Sequence, residues 1–266
     1  MKLVNNIIEY QSIVKKYRQK GVRSNDYLQQ EVIELIKRDA LFANCYNNNA
    51  FLFVKNDVGI RLYYYINDLN EIANLSKYKD LVTEVLFRAE IPQEEINYLI
   101  ACGMSINLRR DLYSTTSENI HLSLNVKEVY VRYAESLSDI IFACNLFNSI
   151  FDKYSGDYIP ATSYQVLLDK RQILLAIDSN GGYLGAFHYT IEKNVNWVSH
   201  IAVLPEFRGK GVANALLNEF IRITNNGPKT KYMLWVQNKN NAAIQMYQKM
   251  GFKYVNRSTL SLIKTI

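Results

Sequence analysis

Ile201-Ala202-Val203-Leu204-Pro205-Glu206-Phe207-Arg208-Gly209-Lys210-Gly211-Val212-Ala213 carries the chain from an apolar run through a basic, glycine-bearing turn into a helical pattern. A helix start leaves main-chain N–H groups without intrahelical acceptors, and the aligned peptide dipoles add roughly half a positive charge there. Gly209 and Gly211 remove side chains that would hold an anion away from those donors, while Arg208 and Lys210 set full charges beside them. The stretch is laid out as a cradle for a pyrophosphate or a similar group. It is not a Walker A loop, because Lys210 is followed by Gly211 rather than Ser or Thr, nor a dinucleotide fingerprint, because Asn214 stands where a third glycine is needed. Taken alone, these residues also fit an ordinary basic turn that caps a helix.

A second stretch follows: Asn240-Asn241-Ala242-Ala243-Ile244-Gln245-Met246-Tyr247-Gln248-Lys249-Met250-Gly251-Phe252. Ala243, Met246, Tyr247 and Met250 recur at helical intervals, and Gly251 sits where a left-handed C-cap belongs. The two stretches, in this order with a strand between them, resemble the acyl-CoA signature of the GNAT N-acetyltransferase superfamily. Its loop reads Gln/Arg-x-x-Gly-x-Gly/Ala, matched here by Arg208 to Ala213. The resemblance implies an α/β fold for residues 127–266, with a mixed, largely antiparallel sheet flanked by helices, and acetyl-CoA or another acyl-CoA as co-substrate, with no metal. It also implies that main-chain groups of Ile201, Ala202 and Val203 run along the pantetheine arm. The N–H groups of Arg208, Gly209, Lys210, Gly211, Val212 and Ala213 would hold the pyrophosphate, Asn240 would contact the pantetheine or cap its helix, and Tyr247 would be a cofactor contact and the general acid.

Composition sets the outer limits. The chain has 266 residues, 48% hydrophobic and 21% charged, which suits one large or two ordinary globular domains. No run of eighteen apolar residues occurs and the start lacks an apolar signal core, so neither a membrane nor secretion is expected. Cys45, Cys102 and Cys144 are scattered and odd in number; they read as buried apolar residues of a reducing cytoplasm, not as a disulfide framework or metal site. The net charge of +6 lies wholly in residues 127–266, the half with the cradle, where it would favour encounter with a polyanionic cofactor. Basic runs with interleaved aromatics and zinc-finger spacings are missing from the sequence, so nucleic acid is not an expected partner. A monomer or homodimer acting on a small-molecule amine is.

The second half alternates strands and helices. Val129 to Tyr133, Ile173 to Ile177, Tyr183 to Ile191, Trp197 to Val203 and Tyr232 to Val236 read as strands, and Asp178-Ser179-Asn180-Gly181-Gly182 as a hairpin turn. The first half echoes this order faintly. Helical stretches near 4–18 and 26–38 precede Phe51 to Lys55 and Ile60 to Ile66, which look like a hairpin, and Pro92 opens a helix ending at Cys102-Gly103-Met104. An offset of 148 residues brings that ending onto Met250-Gly251-Phe252, Arg109 onto Arg257 and Leu112 onto Leu260. Residues 1–126 therefore read as a degenerate GNAT-like copy or accessory domain, and 127–266 as the catalytic domain. Only Gly21, Gly59 and Gly103 fall in the first half, none in an Arg-x-x-Gly-x-Ala setting, so a second cofactor site of the usual kind is not expected there.

If the resemblance holds, an acyl group passes directly from a thioester to an amine. A phenol of pKa about 10 is a reasonable acid for a leaving thiol of about 8.5, which suits Tyr247. A lysine-like amine of pKa about 10.4 is mostly protonated at pH 7, a handicap of roughly 4.6 kcal/mol. Many relatives meet it with a Glu on the strand before the cradle, but Trp197-Val198-Ser199-His200 contains no acid. His188 and His200 are candidates for the base, His188 ahead because strict strand alternation sets Trp197 and Ser199 toward the acceptor and His200 away from it. Glu192 and a water held by Ser199 stay open. Tyr154 and Tyr158, in the loop Tyr154 to Pro160, are expected to shape the acceptor pocket together with Trp197 and Ser199. The alternatives are a non-catalytic acyl-CoA-sensing module and a Fem-type aminoacyl transferase; the latter lacks an intact pyrophosphate loop.

Overall fold

A computed structural model describes residues 1–28, 31–122 and 128–265, and the chain divides into two compact units, Met1–Arg109 with Ser258–Ile266, and Arg110–Arg257. The boundary expected at 126 and 127 lies outside the described residues. The structure assigns Arg110 onward to the second unit and the last nine residues to the first.

Each unit is built on the same plan. In the first, β1 (Lys2–Leu3), α1 (Ile7–Tyr17), β2 (Arg23–Ser24), α2 (Val32–Lys37), β3 (Leu41–Cys45), β4 (Ala50–Lys55), β5 (Ile60–Ile66), β6 (Leu81–Phe87) and α3 (Gln93–Ala101) lead into β7 (Ser105–Thr116). In the second, β8 (Tyr130–Tyr133), α4 (Leu137–Ile150), α5 (Tyr164–Asp169), β9 (Ile173–Ile177), β10 (Tyr183–Glu192), β11 (Val195–Val203), α6 (Val212–Thr224), β12 (Lys231–Gln237) and α7 (Asn241–Lys249) lead into β13 (Lys253–Lys264). The strand orders match: β1-β3-β4-β5-β6 in one and β8-β9-β10-β11-β12 in the other, antiparallel except for the parallel pairs β5 with β6 and β11 with β12. The sixth strands are exchanged. Residues Arg110 to Thr116 of β7 pair with β12, and residues Ser258 to Lys264 of β13 pair with β6. The offset of 148 holds for both α3 with α7 and β7 with β13.

Local chemistry explains these elements. The hairpin between β9 and β10 is closed by Asp178, whose carboxylate accepts the N–H groups of Asn180 and Gly182 at 2.8 Å, with Gly181 at φ +81°. The apolar face of α6 supplies Val212, Leu216, Leu217, Phe220 and Ile221 to one core; α4 supplies Ile140, Ala143, Cys144 and Phe147 to another. Buried Asp139, near the start of α4, accepts from Arg132, from the Glu135 N–H and from the Tyr183 hydroxyl, which hold its carboxyl well below the usual range and tie α4 to β8 and β10. Sequence patterning missed the strands β3, β6, β7 and β13; β3 pairs with the neighbouring β4, whereas β6, β7 and β13 find partners far along the chain.

In both units the parallel pair separates. Pairing of β5 with β6 is limited to Ile60–Leu81 and Arg61–Val82. The gap beyond is closed by β2, which pairs with β5 at Arg23–Ile66 and Ser24–Tyr65, and by Asn25, a buried side chain that donates to Leu62 O, Thr83 Oγ1 and Glu84 O and accepts from Tyr64 N–H. No helix links β5 to β6. Pairing of β11 with β12 ends at Val198–Leu234, although β11 runs on to Val203 and β12 to Gln237.

Gly251 closes α7 at φ +93°, and a Cβ there would lie 2.0 Å from the carbonyl oxygen of Asn119. Both strain and overlap oppose any side chain, so Gly251→Ala should cost more than about 2 kcal/mol in urea unfolding. A loss under about 0.5 kcal/mol would contradict this packing.

Candidate active site

The basic turn adopts the conformation its glycines allow. Gly209 and Gly211 take φ of +75° and +81°, and a Cβ at Gly209 would meet nothing within 4 Å, so the approach to the main chain is open. The first hydrogen bond of α6 runs from Ala215 N–H to Gly211 O at 3.0 Å, and among the described residues the N–H groups from Gly209 to Asn214 have no acceptor. Arg208 is anchored by Nε donating to Val203 O at 3.1 Å, and Lys210 lies over the Phe207 ring. The turn thus presents open main-chain donors beside two basic side chains, an arrangement suited to an anion.

The second unit also holds a cleft of about 560 Å³, lined by the region where β11 and β12 diverge. His188, Trp197, Ser199, His200, Trp235 and Asn240 are among its walls, so both tryptophans and two of the three histidines of the chain meet here. Asn240 also caps α7, its Oδ1 accepting from Ala243 N–H at 3.2 Å. Of the expected acceptor residues, Trp197 and Ser199 line the cleft, whereas Tyr154 and Tyr158 do not; Gly156 and Asp157 of the same loop do. Tyr247 is not on the wall either. Its ring is buried in the core beside Phe252, and desolvation raises its pKa.

The expected orientation of His200 is corrected by a β-bulge. His188 pairs with His200 but Tyr189 pairs with Val198, so Ser199 is an extra residue in β11. One extra residue reverses strand alternation beyond it. Asn196 and Val198 face α6, through the Thr224 carbonyl and the apolar core, whereas after the bulge His200 stacks on Phe147 and meets Phe151 beside α4. His200 thus shares the cleft with Trp197 instead of turning from it. A single added residue carries no mark in hydrophobic periodicity.

The two imidazoles are nearly parallel, with Nδ1 atoms 3.0 Å apart. Burial lowers the pKa of His188 to about 3, helped by its neighbour. His200 falls to about 4, again chiefly through burial, with Arg110 adding to the effect and the main chain of Asp157 opposing it. Arg110, which sequence reading did not single out, comes from β7. It pairs with the Asp157 carboxylate at 3.2 Å and donates to Ser155 O at 3.1 Å. Only the pairing of β7 with β12 brings it here, so no motif near residue 110 could have announced it.

Residues 141–252, which lie within the second unit, match the model of the Acetyltransferase (GNAT) family. The chain is 33% identical over 84 residues to an uncharacterized N-acetyltransferase of Methanocaldococcus jannaschii, covering 27% of this chain and 37% of that protein. It is 31% identical over 90 residues to an acetyltransferase of Pectobacterium atrosepticum, covering 33% and 62% respectively. It therefore spans less than two thirds of either relative. A tandem GNAT protein from the clavulanic acid biosynthesis pathway matches in fold with a TM-score of 0.55 at 11% identity, over 85% of this chain and 83% of that one. Among the described residues no helix is long and apolar enough to cross a membrane.

Both histidines bind protons more weakly folded than unfolded, where about 6.5 applies. Their contribution to stability is complete above pH 6.5 and is lost as pH falls toward 4, where the unfolded chain takes up more protons. Thermal melting between pH 7 and 4 should show this decline, and the double variant His188→Gln/His200→Gln should flatten it. An equally steep decline in the variant would mean that the pair is not buried neutral.

Proposed function

We propose that the second unit is an acyl-CoA-dependent N-acyltransferase that moves an acetyl group from acetyl-CoA to a primary amine of a small molecule or sugar. The observation that carries this reading is that β11 links two features along the chain: the opening where it parts from β12, and the unfilled main-chain donors at Gly209 to Asn214 that follow it. The donors suit the pyrophosphate. The unpaired edge of β11, from Ser199 through Ile201, Ala202 and Val203, suits the amides of a pantetheine arm lying like an added strand. Holding both reactants in the cleft turns a bimolecular encounter into a positioned one, an effect of up to about 7–11 kcal/mol in favourable models.

The amine nitrogen attacks the thioester carbonyl with Trp197 and Ser199 at its side, the C–N bond forms, the C–S bond breaks, and the departing sulfur needs a proton. Tyr247 is the proposed donor. Its raised pKa keeps the phenol protonated throughout the neutral range.

The matching strand order supports a further reading of the first unit as a GNAT copy that has lost its cofactor site. Asn25 fills the gap between β5 and β6, and no helix start follows β5 to hold a pyrophosphate.

Calorimetry with acetyl-CoA should give one site per chain, and Arg208→Glu should weaken it at least tenfold, because a full charge beside the donors is reversed. Unchanged affinity, or two equivalent sites, would count against the assignment. In a thiol-release assay Tyr247→Phe should lower kcat about 100-fold with little change in KM; an unaltered kcat would remove Tyr247 from the chemistry.

A further inference from the structure

Two nitrogen lone pairs cannot face each other at 3.0 Å without a proton between them, so one ring of the His188–His200 pair donates through Nδ1 and the other accepts. Asp157 decides which. Its carboxylate Oδ1 lies 3.9 Å from Nε2 of His200. That negative charge favours a proton on Nε2 of His200, which leaves the Nδ1 of that ring bare. Nδ1 of His188 must then carry the shared proton, and Nε2 of His188 keeps an open lone pair. Nε2 of each ring is buried without a hydrogen-bond partner and both residues line the cleft, but it is Nε2 of His200 that faces the Asp157 carboxylate, which leaves the open lone pair on His188.

We propose that Nε2 of His188 takes the N–H proton of the acceptor, held in that tautomer by His200 and Asp157, and that the acceptor is a flat, weakly basic amine that enters already neutral. This deepens the N-acyltransferase reading and rests on it. The charged groups around the pair are few. Arg110 of β7 is paired with Asp157, Glu192 of β10 lines the cleft from an exposed position, and Phe147 of α4 and Phe151 just after it meet His200. An imidazole that burial keeps neutral is too weak a base to strip an alkylammonium of pKa about 10.4. It is basic enough for the nitrogen of an amine that has begun to bond to carbon, which becomes strongly acidic. An arylamine arrives neutral at pH 7 and needs nothing more. Trp197, Trp235 and Phe151 give the cleft flat apolar walls suited to its ring.

The step balances: the C–N bond forms, the C–S bond breaks, and one proton leaves nitrogen for Nε2 while one reaches sulfur from Tyr247. The imidazolium then returns its proton to the phenolate through water, and no outside acid or base is consumed. His188 is the catalytic residue here; His200 and Asp157 are positioning residues.

Histidine-selective ¹⁵N labelling of the full chain reads the tautomers directly. His188 should carry its proton on Nδ1 and His200 on Nε2, and Asp157→Asn should scramble that assignment. Titration with aniline should shift Nε2 of His188 and leave the tautomer of His200 unchanged. With acetyl-CoA present, kcat/KM for aniline should be flat from pH 6 to 9 and at least tenfold above that for benzylamine at pH 7. The benzylamine value should rise about tenfold per pH unit as its neutral fraction grows. His200→Gln should lower kcat while leaving KM for acetyl-CoA unchanged. A proton on Nδ1 of His200, an aniline titration that moves neither ring, or a preference for benzylamine at pH 7 would overturn the inference. Failure of acetyl-CoA to bind in calorimetry would instead sink the acyltransferase reading, and the NMR arm would still decide whether His188 receives an amine N–H.

Discussion

The divergence of β11 from β12 beyond Val198 and Leu234 is the constraint on which the second unit turns. Strands that stop pairing leave main-chain donors and acceptors unfilled, and such groups are costly unless water or a ligand meets them. Here the open edges border a cleft with aromatic walls, and the strand that borders it runs directly into the turn whose N–H groups from Gly209 to Asn214 are also unfilled. Two deficits in hydrogen bonding, one in a sheet and one at a helix start, lie on the same path. Stability is given up locally for a surface that an extended, polyanionic molecule can complete.

The first unit shows the same geometry with the deficit removed. Where β5 leaves β6, a single asparagine amide satisfies groups on both strands, and Thr83 Oγ1 adds a bond to Leu62 O at 2.8 Å. The short strand β2, paired with β5 through Arg23–Ile66 and Ser24–Tyr65, and the buried Asn25 side chain that follows it thus separate a filled gap from an open one. The difference lies in residues 23–25, far from either strand in sequence, so it is visible only once the chain has folded.

Much of the second unit was legible in the sequence because its signals are local. The glycine turn, the Asp178 hairpin, the stripe of α6 and the Asn240 cap each depend on residues within a few positions, and each stands where periodicity and capping chemistry put it. What escaped was long-range or invisible to periodicity. The strands β7 and β13 find partners far along the chain, which is why Arg110 was not foreseen at the cleft. The Ser199 bulge inverted the expected orientation of His200 without altering the apolar pattern that strands are recognised by. Tyr247 falls on its expected helix, yet the ring contributes to a core rather than to the cleft wall, a distinction that residue spacing does not encode.

The exchange of sixth strands sets an order for biosynthesis. As the polypeptide leaves the ribosome, β6 is made early but waits for Ser258 to Lys264, translated only after the second unit, before its open edge is covered. The amino-terminal unit is therefore begun first and finished last, while the unit translated later already has β7 at hand. Bare strand edges on partly made chains invite pairing with the wrong partner. Loss of Ser258 to Lys264 would consequently strike the unit that begins at Met1, not the one translated just before them.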